Sequence, residues 1–234
     1  MFFDPMYLLF MVPGMILAAW AQWKVHAAYQ EASRIAPASG ATGAEAAAVI
    51  LRQSGLRGVE IEQTEGIMSD HYDPSAKVLR LSPDVYHGRS LAAVGIAAHE
   101  AGHALQDAQR YPLLVLRNGI VPLASIGGNL SWILLMAGFL LQSFNLIIAG
   151  IVAFSITVVF QLINLPVEFD ASRRAKAILS EMGIVRGPEE IGEVRRVLSA
   201  AAMTYVAATL MAMLNLVYYL FRAGLFGGSR DEEA

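Results

Sequence analysis

The chain has 234 residues, of which 56% are hydrophobic and only 16% charged, with a mean hydropathy of +0.48. A soluble globule carries about a quarter charged residues, so the composition argues against an ordinary water-soluble fold and for the membrane class. A formal net charge of −3 without a basic block interleaved with aromatics speaks against a nucleic-acid partner, and the absence of cysteine excludes disulfides and thiolate metal sites.

In chain order, about Pro5 to Ala21 is the first of four stretches able to cross a hydrocarbon core, which needs roughly 20 apolar residues. It has no basic n-region, is preceded by Asp4, and is followed by Trp20 and Trp23 at interface depth rather than by a cleavage site. It is therefore expected to be a retained anchor and not a signal peptide. A polar segment, Gln22 to Asn118, follows. Within it Thr42 and Glu45 form a capping-box pattern ahead of Ala46 to Arg52, with Gly55 as a natural stop, which predicts a helix. Val59 to Gln63 alternates like a strand, and Met68 to Ser82 reads as two strands around the turn Asp73-Pro74-Ser75-Ala76, giving a small sheet with an edge. Ser90 is a good N-cap for a further helix from Leu91 through Gln106, which ends before Pro112.

The second and third apolar stretches, Gly119 to Leu141 and Phe144 to Leu165, are joined only by Gln142 and Ser143, so they must form an antiparallel hairpin. Along the second, Ala124, Ser125, Gly127, Gly128 and Ser131 permit close helix packing, either within the chain or in a homo-oligomer. Pro166 to Ser199 is polar again, and Ala200 to Phe221 is the fourth stretch. A hairpin between two polar segments brings both to one membrane face. Lys24, Arg34, Arg110, Arg117, Arg173, Arg174, Lys176, Arg195 and Arg196 lie on that face, against Arg222 and Arg230 opposite, so the positive-inside rule makes it cytoplasmic. The acidic tail Asp231-Glu232-Glu233 reads as a solvated end. The expected architecture is α+β and predominantly helical. Its divisions are an anchor (1–22), a segment with a small sheet and the motif helix (23–118), a transmembrane hairpin (119–165), a second polar helix segment (166–199), and a last transmembrane helix with its tail (200–234).

His99-Glu100-Ala101-Gly102-His103 is an H-E-x-x-H pattern on the predicted Leu91–Gln106 helix. Imidazoles at i and i+4 share a face about 6 Å apart along the axis, so both can reach one metal ion. Glu100 projects at a neighbouring angle, close to that ion yet free of it, which suits a base acting on a zinc-bound water rather than a third ligand. Two imidazoles and a carboxylate among Ala, Gly, Ile and Val would be costly to bury unless a metal satisfied them.

A zinc hydrolase needs a third protein ligand and keeps the fourth position open. His26, His71 and His87 lie in the first polar segment, but a histidine six residues after His103 is absent, because Gln109 stands there. The favoured candidate is Glu168, at the end of the third apolar stretch and at the expected start of a helix, where an acid could alternatively serve only the helix dipole. Asp170 is the rival ligand, although at i+2 it points to another face.

The segments Ser69-Asp-His-Tyr-Asp-Pro-Ser-Ala-Lys-Val-Leu-Arg-Leu-Ser-Pro-Asp-Val-Tyr, Ala98-His-Glu-Ala-Gly-His-Ala-Leu-Gln and Leu165-Pro-Val-Glu-Phe-Asp-Ala-Ser-Arg-Arg-Ala together resemble the YugP-type neutral zinc metallopeptidases of bacterial membranes. The resemblance spans almost the whole chain. That family is in turn similar to the HtpX-like and CAAX prenyl proteases, gluzincins in which a membrane hairpin separates the H-E-x-x-H helix from a glutamate-bearing helix. The resemblance implies one Zn2+ held by His99, His103 and Glu168, with Glu100 as base. It also implies a bacterial cytoplasmic membrane location, protein or peptide substrates, and a substrate-binding edge at Met68 to Asp73 that brings His71 and Tyr72 near the scissile carbonyl. One departure stands out: where the HtpX-like pattern has an aspartate after the alanine of its second motif, this chain has Ser172. Asp170 and Asp107 are the candidates for supporting the ligands.

Other classes fit less well. A metal transporter would carry ionisable groups inside its spans, and none of the four apolar stretches contains Asp, Glu, Lys, Arg or His. A non-catalytic scaffold would bind no stoichiometric zinc. A site-2 type intramembrane protease would need an Asp-Gly motif deep in a later span, which is missing.

Overall fold

The computed structural model describes residues 5–66 and 68–225. The described residues are mostly helical, in the order α1 (Pro5–Ala32), α2 (Gly43–Gln53), β1 (Glu60–Gln63), β2 (His71–Asp73), β3 (Val78–Leu81), α3 (Pro83–Tyr86), α4 (Leu91–Ala108), α5 (Pro112–Leu140), α6 (Phe144–Glu181) and α7 (Gly187–Arg222). Asp4, Arg230 and the acidic tail lie outside them.

Helices α1, α5, α6 and α7 are each long and apolar enough to cross a membrane. Packing leaves much of their apolar surface uncovered, with Ile16, Ile126, Trp132 and Leu140 exposed by 65%, 64%, 61% and 83%. In water such surface costs roughly 25 cal/mol per Å2, a cost that hydrocarbon removes.

All four helices outrun their apolar stretches. α1 continues to Ala32 because Gln22 to Ala32 contains neither Gly nor Pro, so nothing interrupts the backbone ladder where hydropathy falls. More consequentially, Pro166 does not begin a helix as expected but lies inside α6. Its ring nitrogen has no hydrogen for the Leu162 carbonyl, and a helix of 38 residues accommodates one missing rung. Glu168 is therefore a helix-interior residue, and the reading of it as an N-terminal acid stabilised by the helix dipole is corrected.

The chain forms two compact units. The first comprises Met1–Ala19, Leu116–Asn164 and Tyr205–Ala234. In it the α5–α6 hinge is a Schellman turn: Gln142 takes a φ of 52°, and the Ser143 N–H donates to the Gly138 carbonyl at 2.9 Å. Two glycines of α5 meet α6 closely. A Cβ on Gly127 would lie 2.9 Å from the Ala153 carbonyl oxygen, and one on Gly138 would lie 2.8 Å from the Ile147 nitrogen.

The second unit comprises Trp20–Val115 and Leu165–Thr204. Helix α2 starts at the expected capping box, in which the Glu45 N–H donates to Thr42 Oγ1 and the Thr42 N–H to Glu45 Oε2. Its buried Ala46, Ala47, Ile50 and Leu51 join Leu79, Leu81, Val85, Leu91, Val94, Leu179 and Val197 in one core. The sheet has the order β1-β3-β2, with β1 parallel and β2 antiparallel to β3, and Tyr72 opposite Leu79. β2 is an edge strand, as the sequence suggested. The turn between β2 and β3 is closed by Asp73 Oδ1, which accepts the Ser75 and Ala76 N–H groups. Arg80 beside Asp73 holds that carboxyl down at about 2.

Candidate metal centre

Helix α4 is built for close approach. Ser90 Oγ caps it by accepting the Ala93 N–H, and eight of its thirteen buried residues, Ala92, Ala93, Gly95, Ala97, Ala98, Ala101, Gly102 and Ala104, are Ala or Gly. At Gly102 the backbone of α6 comes so near that a Cβ would sit 2.9 Å from the Ala171 carbonyl oxygen and 3.4 Å from Ala171 Cα. This contact places the two histidines of α4 against Glu168 of α6. Replacing Gly102 by alanine should drive the helices apart, at a cost of about 1–3 kcal/mol. Thermal unfolding and zinc titration of the purified variant should show a lower midpoint and weaker metal binding, and wild-type values in both would contradict the account.

The Nε2 atoms of His99 and His103 stand 3.2 and 3.6 Å from the same Glu168 oxygen, Oε2. One ligand atom from each of the three residues lies within 4.8 Å of the others. Tetrahedral zinc with bonds near 2.05 Å sets its ligand atoms about 3.3 Å apart, so the spacing suits that ion. Glu168 and His103 are buried and His99 nearly so, and the ion pairs of Glu168 among the described residues run only to the two imidazoles. The donor set of two nitrogens and one oxygen fits zinc chemistry without any sulfur.

Glu100, one residue on from His99, is turned toward β2, where its Oε2 accepts the Tyr72 main-chain N–H at 3.0 Å. Burial raises its pKa above the ordinary carboxylate range, and the facing His99 and His103 pull only partly the other way. A carboxyl raised in this way holds a proton more firmly than an ordinary one, which suits a group that takes up a proton and passes it on.

The remaining candidates are dispersed. His26 is exposed and paired with Gln30, and His87 with Gln63. His71 is exposed, its Nδ1 on the Ser69 carbonyl. The Tyr72 hydroxyl donates to Asp107 Oδ2 at 2.7 Å, and burial together with that carboxylate raises the phenol further. Asp107 also accepts Lys77 Nζ, so its recorded bonds hold β2 and the following turn on α4 and do not support His103.

The partner of His103 is a residue to which the sequence reading gave no role. His103 Nδ1 is 2.9 Å from Gln106 Oε1, and Gln106 Nε2 donates to the Val167 carbonyl and to Asp170 Oδ2, both at 2.9 Å. Asp170 lies outside the His99–His103–Glu168 group and reaches it only through Gln106, with Arg173 and Arg174 on its oxygens. His99 Nδ1 lies 3.1 Å from Ser172 Oγ, so the serine at the departure from the HtpX-like pattern faces a candidate ligand. Helical spacing contained both signals, since Gln106 follows His103 by three residues and Ser172 follows Glu168 by four.

The sequence has a counterpart among known proteins. The chain is 45% identical over 227 residues to a protein of Bacillus subtilis (strain 168) described as "Putative membrane protease YugP", covering 97% of this chain and 99% of that one. No solved structure matches it. Residues 7–224, which take in every ligand candidate and all but the first two residues of the four apolar helices, match the family described as "Putative neutral zinc metallopeptidase", and the chain belongs to that family.

Proposed function

We propose that the chain is a membrane-bound zinc endopeptidase that hydrolyses peptide bonds of protein or peptide substrates at the cytoplasmic surface of a bacterial membrane. The observation that carries this reading is the convergence of His99 Nε2 and His103 Nε2 on one Glu168 oxygen, with a second carboxylate, Glu100, beside them and turned away. His99, His103 and Glu168 would hold the zinc ion. When bound, zinc polarises a carbonyl and lowers the pKa of a coordinated water to roughly 7.

The chain's own part in the reaction falls to Glu100. The Tyr72 N–H fixes Oε2, leaving Oε1 to take the proton from the attacking water and to pass it to the leaving amide nitrogen as the C–N bond breaks. The second proton of the water follows to the same nitrogen, so the products are a carboxylate and a protonated amine, and Glu100 ends as it began. The side chains of His71 and Tyr72 take no part, the first being exposed at the start of β2 with its ring on the Ser69 carbonyl and the second bonded to Asp107. The cytoplasmic side follows from the basic residues of the two polar segments. Cleavage near the membrane surface follows from Glu168 standing three residues beyond Leu165, the last residue of the third apolar stretch.

The test is metal removal. Protein purified in detergent should contain one zinc per chain, lose cleavage of an unfolded protein substrate on exhaustive chelation, and regain it with one equivalent of Zn2+. Full cleavage by metal-free protein would overturn the proposal.

A further inference from the structure

Gln106 is fully buried, and every polar atom of its side chain is engaged. Its amide orientation follows from its neighbours. The Val167 carbonyl can only accept a hydrogen bond, and Asp170, held by Arg173 and Arg174, accepts as a carboxylate. The amide NH2 must face these two, because the flipped amide would set oxygen against oxygen twice. Oε1 therefore faces His103, and since an amide oxygen can only accept, His103 Nδ1 must carry a hydrogen. In the neutral ring the free lone pair is then on Nε2, the atom directed at Glu168.

His99 differs. Its Nδ1 meets the Ser172 hydroxyl, which can donate or accept and so leaves the ring's tautomer open. The ligand histidines are thus unequally prepared, and the prepared one is fixed by groups on the opposite helix. Gln106 and His103 belong to α4, whereas Val167 and Asp170 belong to the turns of α6 that flank Glu168.

We propose that Gln106 is a positioning residue of the metal centre, which reads the docked state of α6 through Val167 and Asp170 and locks His103 in the tautomer that presents Nε2 to zinc. The proposal rests on the zinc reading above, and it makes metal affinity depend on a residue that contacts neither metal nor substrate. Fixing a ligand imidazole through its second nitrogen is worth about 10–100-fold in affinity where such partners are removed.

The test uses the full chain in detergent and the variants Gln106→Met and Gln106→Leu, which keep the side chain's approximate volume and delete its hydrogen bonds. Zinc affinity is measured by competition with a chelator, and the His103 tautomer by nitrogen chemical shifts of histidine-labelled, metal-free protein. The wild type should show His103 protonated on Nδ1. Either folded variant should show a mixture of tautomers and a zinc affinity lowered 10–100-fold, with one site still filling at high zinc. A merely structural role would lower thermal stability without shifting the tautomer. Variants that keep both the Nδ1–H and an affinity within twofold of wild type would overturn the proposal, as would a wild type in which His103 Nδ1 carries no hydrogen. A wild type that takes up no zinc would overturn the zinc reading instead, while the tautomer measurement, made without metal, still judges Gln106.

Discussion

Replacing Glu100 by alanine should leave one zinc per chain and lower proteolysis by about 10²–10⁴-fold, the range over which a positioned proton-transfer group acts. The separation of the two effects follows from geometry. The Glu100 carboxylate is bonded to the Tyr72 N–H on β2, whereas the atoms that would hold the ion belong to His99, His103 and Glu168. Removing Glu100 takes away the proton carrier and one negative charge near the site but no ligand atom. Glu100→Gln keeps the acceptor for Tyr72 and should be equally inactive, which separates loss of the base from any shift of β2. Metal analysis beside turnover on the same preparation decides the matter, and a Glu100→Ala protein retaining a tenth of wild-type activity would rule out the role given to this residue.

The second large effect is expected at Glu168. Alanine there removes the oxygen on which both histidine nitrogens converge and leaves one buried and one largely buried imidazole without their anionic partner. Zinc affinity should fall by more than about 100-fold, beyond the loss that outer hydrogen-bond partners cause. Activity should fall with it and return only in part at high zinc. Chelator competition on Glu168→Ala and Glu168→Gln reads the effect directly, and stoichiometric zinc at wild-type affinity in both would exclude Glu168 as a ligand. The contrast with Glu100→Ala is itself informative, because the two carboxylates are neighbours in space with opposite expected effects on metal content.

Much of this was legible in the sequence where local chemistry determines structure. The Thr42–Glu45 capping box, the Asp73 turn, the Ser90 cap and the tight Gln142-Ser143 hinge all carry their instructions within a few residues, and each appears where expected. Residues His99 and His103 were readable because one helical turn relates them. Less legible were features that depend on two helices meeting. Hydropathy marked where apolar surface ends, but α6 continues through Pro166 to Glu181, since backbone hydrogen bonding is indifferent to side-chain polarity. Asp107 was considered as a support for the ligands on the ground of helical face alone, yet β2 claims it through Tyr72, with Lys77 beside it. The contact between Gly102 and Ala171, and the route from His103 through Gln106 to Asp170, join residues more than sixty positions apart. Spacing within one helix could nominate these residues but not pair them.

The nitrogen and oxygen donor set has a further consequence. With no thiolate in the centre, peroxide and similar oxidants find no ligand sulfur to convert to sulfenate or disulfide. Occupancy answers instead to acidity and to the supply of the ion, because imidazole and carboxylate give up metal by gaining protons. A zinc ion held there would be insulated from thiol oxidation and would answer to proton activity on the side of the bilayer that the centre faces.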